Sequence, residues 1–140
     1  MNDIEQLREQ IIALKEKVKR FKVLVVEDED QIREKTGSFM ERFFEKVDCA
    51  EDGKVALDMI NKDISYYDVI ITDLQMPNMT GQELIQELLC IDKDFFIVVM
   101  TGTPDFKNEL IKECDISLAK PVSLEDMLNV MNILVNKENL

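Results

Sequence analysis

"DVIITDLQMPNMTG", Asp68 to Gly81, decides how this chain is read. Val69, Ile70 and Ile71 read as a strand passing through a core, and Asp73 stands where the apolar run stops. A carboxylate at the edge of a core loses hydration, a cost that only a partner offsets. The residues at the ends of the other strands are therefore the ones to examine.

Outward from this stretch, short apolar runs alternate with amphipathic ones. "FKVLVV" (21–26) reads as a buried strand rich in β-branched residues, and "DQIREKTGSFMERFFEK" (30–46) as a helix with Ile32, Phe39, Met40 and Phe43 inward. A short strand at 47–51 and a helix at 53–62 precede the strand "YDVIIT" (67–72). Then come a helix at 81–90, a strand at 95–100, a helix at 104–113, a strand at 116–119 and a helix at 123–137. Ser123, with Asp126 three residues on, resembles a capping box for that last helix. Alternating strands and helices predict an α/β domain over residues 21–140, with a doubly wound, five-stranded parallel sheet. Such sheets carry their reactive groups at the carboxyl ends of the strands.

Four strand ends carry chemistry: Glu27-Asp28-Glu29, Asp73, Thr101-Gly102 and Lys120-Pro121. Clustered carboxylates need a neutralising cation or raised pKa values. An all-oxygen donor set suits Mg2+. An ammonium and a hydroxyl can bind the oxygens of a transferring phosphoryl group, with Gly102 leaving room for it. Asp73 then becomes a candidate nucleophile that accepts phosphate as an acyl phosphate. Taken singly, each feature has a plainer reading: acids that cap a helix, a Thr in a local hydrogen bond, a Lys-Pro turn. Their joint occurrence at four strand ends is what points to a site.

"VLVVEDE", "DVIITDLQMPNMTG", "VVMTG" and "LAKPV" together resemble the receiver domain of two-component response regulators, of the chemotaxis-regulator type. The resemblance implies a flavodoxin-like fold with strand order 2-1-3-4-5. It implies Asp73 as the phosphorylated residue, Asp28 holding Mg2+ directly, Glu27 acting through water, and the Gln75 carbonyl as a further ligand. Thr101 and Lys120 would bond phosphoryl oxygens, Lys120–Pro121 would be cis, and Gln75 and Met76 would line the pocket and tune the acyl phosphate lifetime. The partners implied are a histidine kinase or a His-phosphotransfer protein, with output by contact with a further protein. One departure stands out. Relatives carry Tyr or Phe three residues before the Lys, as the partner of Thr101 in a switch; here that position is Ser117.

Composition narrows the alternatives. Net charge is -12, a surface that repels nucleic acid and favours cations and basic partners, though solubility alone explains the excess of acids about as well. No apolar run approaches a membrane span, and the polar N-terminus is no secretory signal. Three widely spaced cysteines and no histidine fit a cytoplasmic protein without a His-based centre. An aspartyl-phosphate phosphatase needs an acid two residues after its nucleophile, where this chain has Gln75. A receiver-like scaffold that is never phosphorylated would not need every pocket group. As the chain ends after the last helix, it is expected to act as a stand-alone receiver.

Residues 1–20 stand apart. Ile4, Leu7, Ile11, Leu14, Val18 and Phe21 recur at steps of three and four among good helix formers. This predicts an amphipathic helix that pairs as a parallel coiled-coil homodimer through residues 2–20, or else folds back on its own receiver. In the dimer, Asp3 at a g position meets Arg8 at the partner helix's e position, whereas Lys17 would face Lys22.

Overall fold

The computed structural model describes residues 2–102 and 113–138. The elements run α1 (Asp3–Val18), β1 (Lys22–Val26), α2 (Asp30–Met40), β2 (Lys46–Ala50), α3 (Gly53–Lys62), β3 (Val69–Asp73), α4 (Gly81–Leu89), β4 (Phe96–Thr101), β5 (Ile116–Ala119) and α5 (Leu124–Glu138). The helix expected at 104–113 falls almost wholly outside the described residues. All four strand pairings are parallel, and the order is β2-β1-β3-β4-β5. This is the doubly wound, flavodoxin-like arrangement with an extra N-terminal helix.

The period-two alternation of each strand splits the core into two layers. Val23, Val25, Val69, Ile71, Val98 and Met100 face a cluster completed by α1, α2 and α5. Leu24, Val26, Ile70, Ile97 and Val99 face a second cluster, completed by α3 and α4. Helix starts are fixed by local chemistry. Asp52 caps α3 by accepting from Val55 N–H at 2.8 Å, and Thr80 and Glu83 form a capping box on α4. At α5 the Ser123 and Asp126 pair is reciprocal, at 2.9 and 3.1 Å.

The predicted helix over 30–46 proves shorter. It ends at Met40, and the chain turns through bonds from Arg42, Phe43 and Phe44 N–H back to Phe39 and Met40 carbonyls. Phe43 and Phe44 are both buried. The turn brings both rings into the first cluster and lets β2 begin at Lys46.

Helix α1 is capped by Asn2, whose side chain accepts from Glu5 N–H at 2.8 Å. Its C-terminal half does fold back: Leu14, Val18 and Phe21 are buried with Met131 and Leu134 of α5 and Phe43. Lys19 carbonyl accepts from Glu45 N–H at 2.9 Å, tying the α1–β1 junction to the start of β2. This docking is at the amino end of the sheet, away from the strand ends that carry the acids. Residues 2–10 are exposed.

Val18→Ala is expected to lower stability by about 1–2 kcal/mol, for two lost methyl groups and a partly collapsed cavity. Ile4→Ala should stay within about 0.5 kcal/mol of the parent, as an exposed substitution. Urea denaturation of both variants checks the pair, and equal effects would mean that α1 is not docked.

Candidate functional site

The reversal of strand order between β1 and β3 opens a crevice at their carboxyl ends, where sheets of this class bind ligands. Glu27 and Asp28 follow β1, Asp73 closes β3, Thr101 closes β4, and Lys120 follows β5. A cavity of about 290 Å³ is lined by Glu27, Asp28, Glu29, Asp73, Gln75, Thr101, Gly102 and Lys120. Residues 93 positions apart in the chain thus become neighbours.

Lys120 is the link. Its Nζ donates to Glu27 Oε1 at 2.6 Å and to Asp73 Oδ2 at 2.7 Å. Glu27 is completely buried and Asp73 nearly so. Burial pushes the Glu27 pKa up to about 7: loss of water is the main cause, Lys120 opposes it, and the neighbouring Asp73 carboxyl adds to it. For Lys120, burial works to lower the pKa, but the bonds and charges of Asp73 and Glu27 prevail and hold it above the ordinary value. One carboxylate oxygen from each of Glu27, Asp28 and Asp73 lies within 4.8 Å of the others. Three close carboxylate oxygens are a hard donor set of the kind that fits Mg2+.

Most of the predicted site residues meet in this cavity, with three exceptions, Met76, Ser117 and Pro121. Met76 does not line it. The chain beyond β3 alternates, so Gln75 faces the cavity while Leu74 and Met76 turn into the second apolar cluster; the pocket-lining role expected of Met76 is corrected accordingly. Ser117 lies on β5 opposite Val99 and is exposed. Lys120–Pro121 is cis, and Pro121 lines a neighbouring groove with Ile32, Phe39 and Met100 rather than the acidic cavity. Glu29 stands at the N-cap of α2 but makes no side-chain cap bond, which frees it to face the cavity.

Three supports, involving Arg33, the Asp52–Asn78 pair and Gly81, are not legible in the sequence. Arg33 on α2 donates from Nη1 to the Glu27 carbonyl at 3.0 Å and from Nη2 to Asp30 at 2.6 Å, bracing the acidic turn. Asp52 accepts both from Val55 N–H and from the Asn78 amide at 2.9 Å, and these bonds hold its pKa below the usual range. Asn78 has φ 66°, a left-handed conformation that Asn tolerates better than most residues, and the Asp52 bond anchors it there. The third is Gly81, whose N–H donates to the Leu74 carbonyl at 2.9 Å. A Cβ at Gly81 would collide with the Asp73 carbonyl oxygen and approach Leu74 Cα to 2.8 Å. The first turn of α4 therefore rests directly on the backbone of Asp73. The signal for Gly81 was present in the sequence only as a Thr-Gly helix start; the contact it makes was not.

Residues 23–132 match the family described as the response regulator receiver domain. Over 120 residues the chain is 31% identical to the response regulator MprA of Mycolicibacterium vanbaalenii, covering 83% of this chain and 51% of that protein. The chain thus spans about half the length of such relatives. Among solved structures, a response regulator receiver domain protein from Clostridium thermocellum superposes with a TM-score of 0.75 at 25% identity, covering 85% of this chain and 97% of that one. The response regulator TrrA of Thermotoga maritima, solved with Mg2+ and BeF, gives a TM-score of 0.71 at 28% identity, covering 81% and 98%. No helix among the described residues is long and apolar enough to cross a membrane.

Gly81→Ala should cost about 1–3 kcal/mol, because α4 and the end of β3 must separate; a melting temperature equal to the parent's would show that no such contact exists. The raised Glu27 pKa makes a second, pH-dependent expectation. The folded carboxyl holds its proton more tightly than the unfolded one, so its contribution is present below pH 4.5 and lost as pH climbs through about 7. Metal-free protein should therefore lose, between about pH 5 and pH 8, on the order of 2 kcal/mol more stability than Glu27→Gln does. Parallel denaturation curves for the two at both pH values would contradict this.

Proposed function

The chain belongs to the response regulator receiver domain family, and on that premise we propose that it accepts a phosphoryl group on Asp73 from the phosphohistidine of a histidine kinase or His-phosphotransfer protein. An Asp73 carboxylate oxygen attacks phosphorus, the P–N bond breaks, and its electron pair leaves on the imidazole nitrogen of the donor. The acyl phosphate that results biases a surface read by a further protein. A cytoplasmic location fits such a partner set.

The observation that carries this reading is the convergence of Asp73, Glu27, Asp28 and Lys120 in one cavity that also holds Thr101. Lys120 already touches the Asp73 oxygen, so its ammonium is in place to neutralise charge on an incoming phosphoryl oxygen. The Thr101 hydroxyl bonds another. Open space at Gly102, where a Cβ would meet nothing within 4 Å among the described residues, admits the group. Asp28, Asp73 and the Gln75 carbonyl would hold Mg2+, with Glu27 behind them. The ion would supply charge that offsets the repulsion between carboxylates and phosphate. Thr101 carries the response onward, with no aromatic ring at Ser117 to move with it, so the output differs from a Thr–aromatic switch. The Gln75 side chain is no general acid, which weighs against turnover as a phosphatase. An unphosphorylated scaffold is the reading to separate.

Incubation with a small acyl phosphate donor and Mg2+ should label the parent chain with an acid-stable, base-labile mass increment of one phosphoryl group. Asp73→Asn should abolish it, and Lys120→Ala should slow it by at least about 100-fold. Labelling that survives in Asp73→Asn, or is unaffected by a chelator, would defeat the assignment.

A further inference from the structure

We infer that Arg33 is a positioning residue for the cation site: it fixes the backbone that carries Glu27 and Asp28, and so sets how tightly the cavity holds Mg2+. This rests on the reading of the cavity as a Mg2+ site. Two local forces oppose a cation where Arg33 stands. It lies near the start of α2, where the helix dipole disfavours positive charge. It also stands beside a turn that is to hold another cation, which it repels. Its contacts supply the reason for its presence. The paired register of β1 ends at Val26 against both neighbours, and Glu27 keeps one backbone bond to β2, from its N–H to the Ala50 carbonyl at 3.1 Å. The Glu27 carbonyl accepts from Arg33 Nη1 at 3.0 Å, and the same nitrogen reaches the Asp28 carbonyl at 3.5 Å. Nη2 donates to Asp30 Oδ1 at 2.6 Å. One planar guanidinium, its nitrogens fixed relative to each other, thus clips the acidic turn to α2.

Asp28 depends most on this clip. The Glu27 carboxylate is held by Lys120 and by Asp28 N–H, and the Asp73 carboxylate by Lys120. No group among the described residues bonds the Asp28 carboxylate. The place of its oxygen, within 4.8 Å of one from Glu27 and one from Asp73, is therefore set through its main chain. A turn free to shift must be ordered when the ion binds, which weakens affinity. The two effects of Arg33 have opposite signs. As a bare positive charge it repels Mg2+, and its removal would tighten binding. As a positioning residue it strengthens binding, and its removal loosens it. The Asp30 carboxylate at 2.6 Å offsets much of the charge, so the geometric effect prevails.

Mg2+ titration of the full chain, followed through the amide resonances of Asp28, Asp73 and Gly102, reads affinity without any turnover. Arg33→Ala is expected to weaken Mg2+ binding by at least about 10-fold. Arg33→Lys keeps the charge but offers a point donor in place of a fork, and should weaken binding by about 3-fold or more. It carries the test alone if Arg33→Ala does not fold. Acyl phosphate labelling of Arg33→Ala should need at least about 10-fold more Mg2+ and recover as Mg2+ is raised, which a general loss of structure would not allow. Asp28→Asn should weaken binding further than either variant. Binding that Asp28→Asn removes, yet that is unchanged or tighter in the Arg33 variants, overturns the inference alone. Labelling of Arg33→Ala that excess Mg2+ fails to recover overturns the positioning role. A parent chain whose cavity residues do not respond to Mg2+ overturns the metal reading and this inference with it.

Discussion

Two carboxylates at the ends of adjacent strands, Glu27 after β1 and Asp73 on β3, cannot both remain ionised when buried side by side unless a cation stands between them. Lys120 supplies it, at 2.6 and 2.7 Å, from the end of β5. The rest of the site is arranged around that requirement. Burial raises the Glu27 pKa because loss of water outweighs the Lys120 ammonium it shares with Asp73, while the same acids keep Lys120 charged against the loss of water. A pocket that sets the carboxyls of Glu27, Asp28, Glu29 and Asp73 against the one ammonium of Lys120 is predisposed to take up a second cation. The other Asp73 oxygen, Oδ1, accepts only a long bond among the described residues, from Gln75 N–H at 3.4 Å.

Such an arrangement survives only if the backbone beneath it is rigid. The first turn of α4 sits on the Asp73 carbonyl because residue 81 has no side chain. The loop between them is held by the Asn78–Asp52 bond, which couples it to the start of α3. On the other side Arg33 spans from α2 to the Glu27 carbonyl. Each brace comes from a helix terminus or first turns, so the helices serve the site less by their packing than by where they begin. The second apolar cluster, which takes Leu74 and Met76, holds the β3–α4 loop down while Gln75 is left facing the cavity.

The receiver family is shown by the match over residues 23–132, and Ser117 is where this chain departs from the pattern its motifs resemble. Its side chain is exposed on β5 and carries no ring. The second departure is α1. Its inner half belongs to the receiver's own core, and its outer half does not; the mean periodicity of a stripe does not reveal such a division.

Strand positions, their parallel arrangement and the identity of the acids, Thr101 and Lys120 could be read from residues alone, because period-two apolar runs and the groups that end them are local properties. The length of α2 could not: Phe43 and Phe44 carry a helical pattern onward, yet the chain turns after Met40 and places both rings in the first cluster. Nor could the orientation of Met76, the brace at Gly81 or the anchoring of Asn78 be read, since each depends on what lies opposite from another part of the chain. Periodicity likewise left the partner of α1 open, and burial of Leu14 and Val18 on α5 resolved half of it. Local chemistry specifies which groups a strand end offers; packing at van der Waals distance decides which of them meet.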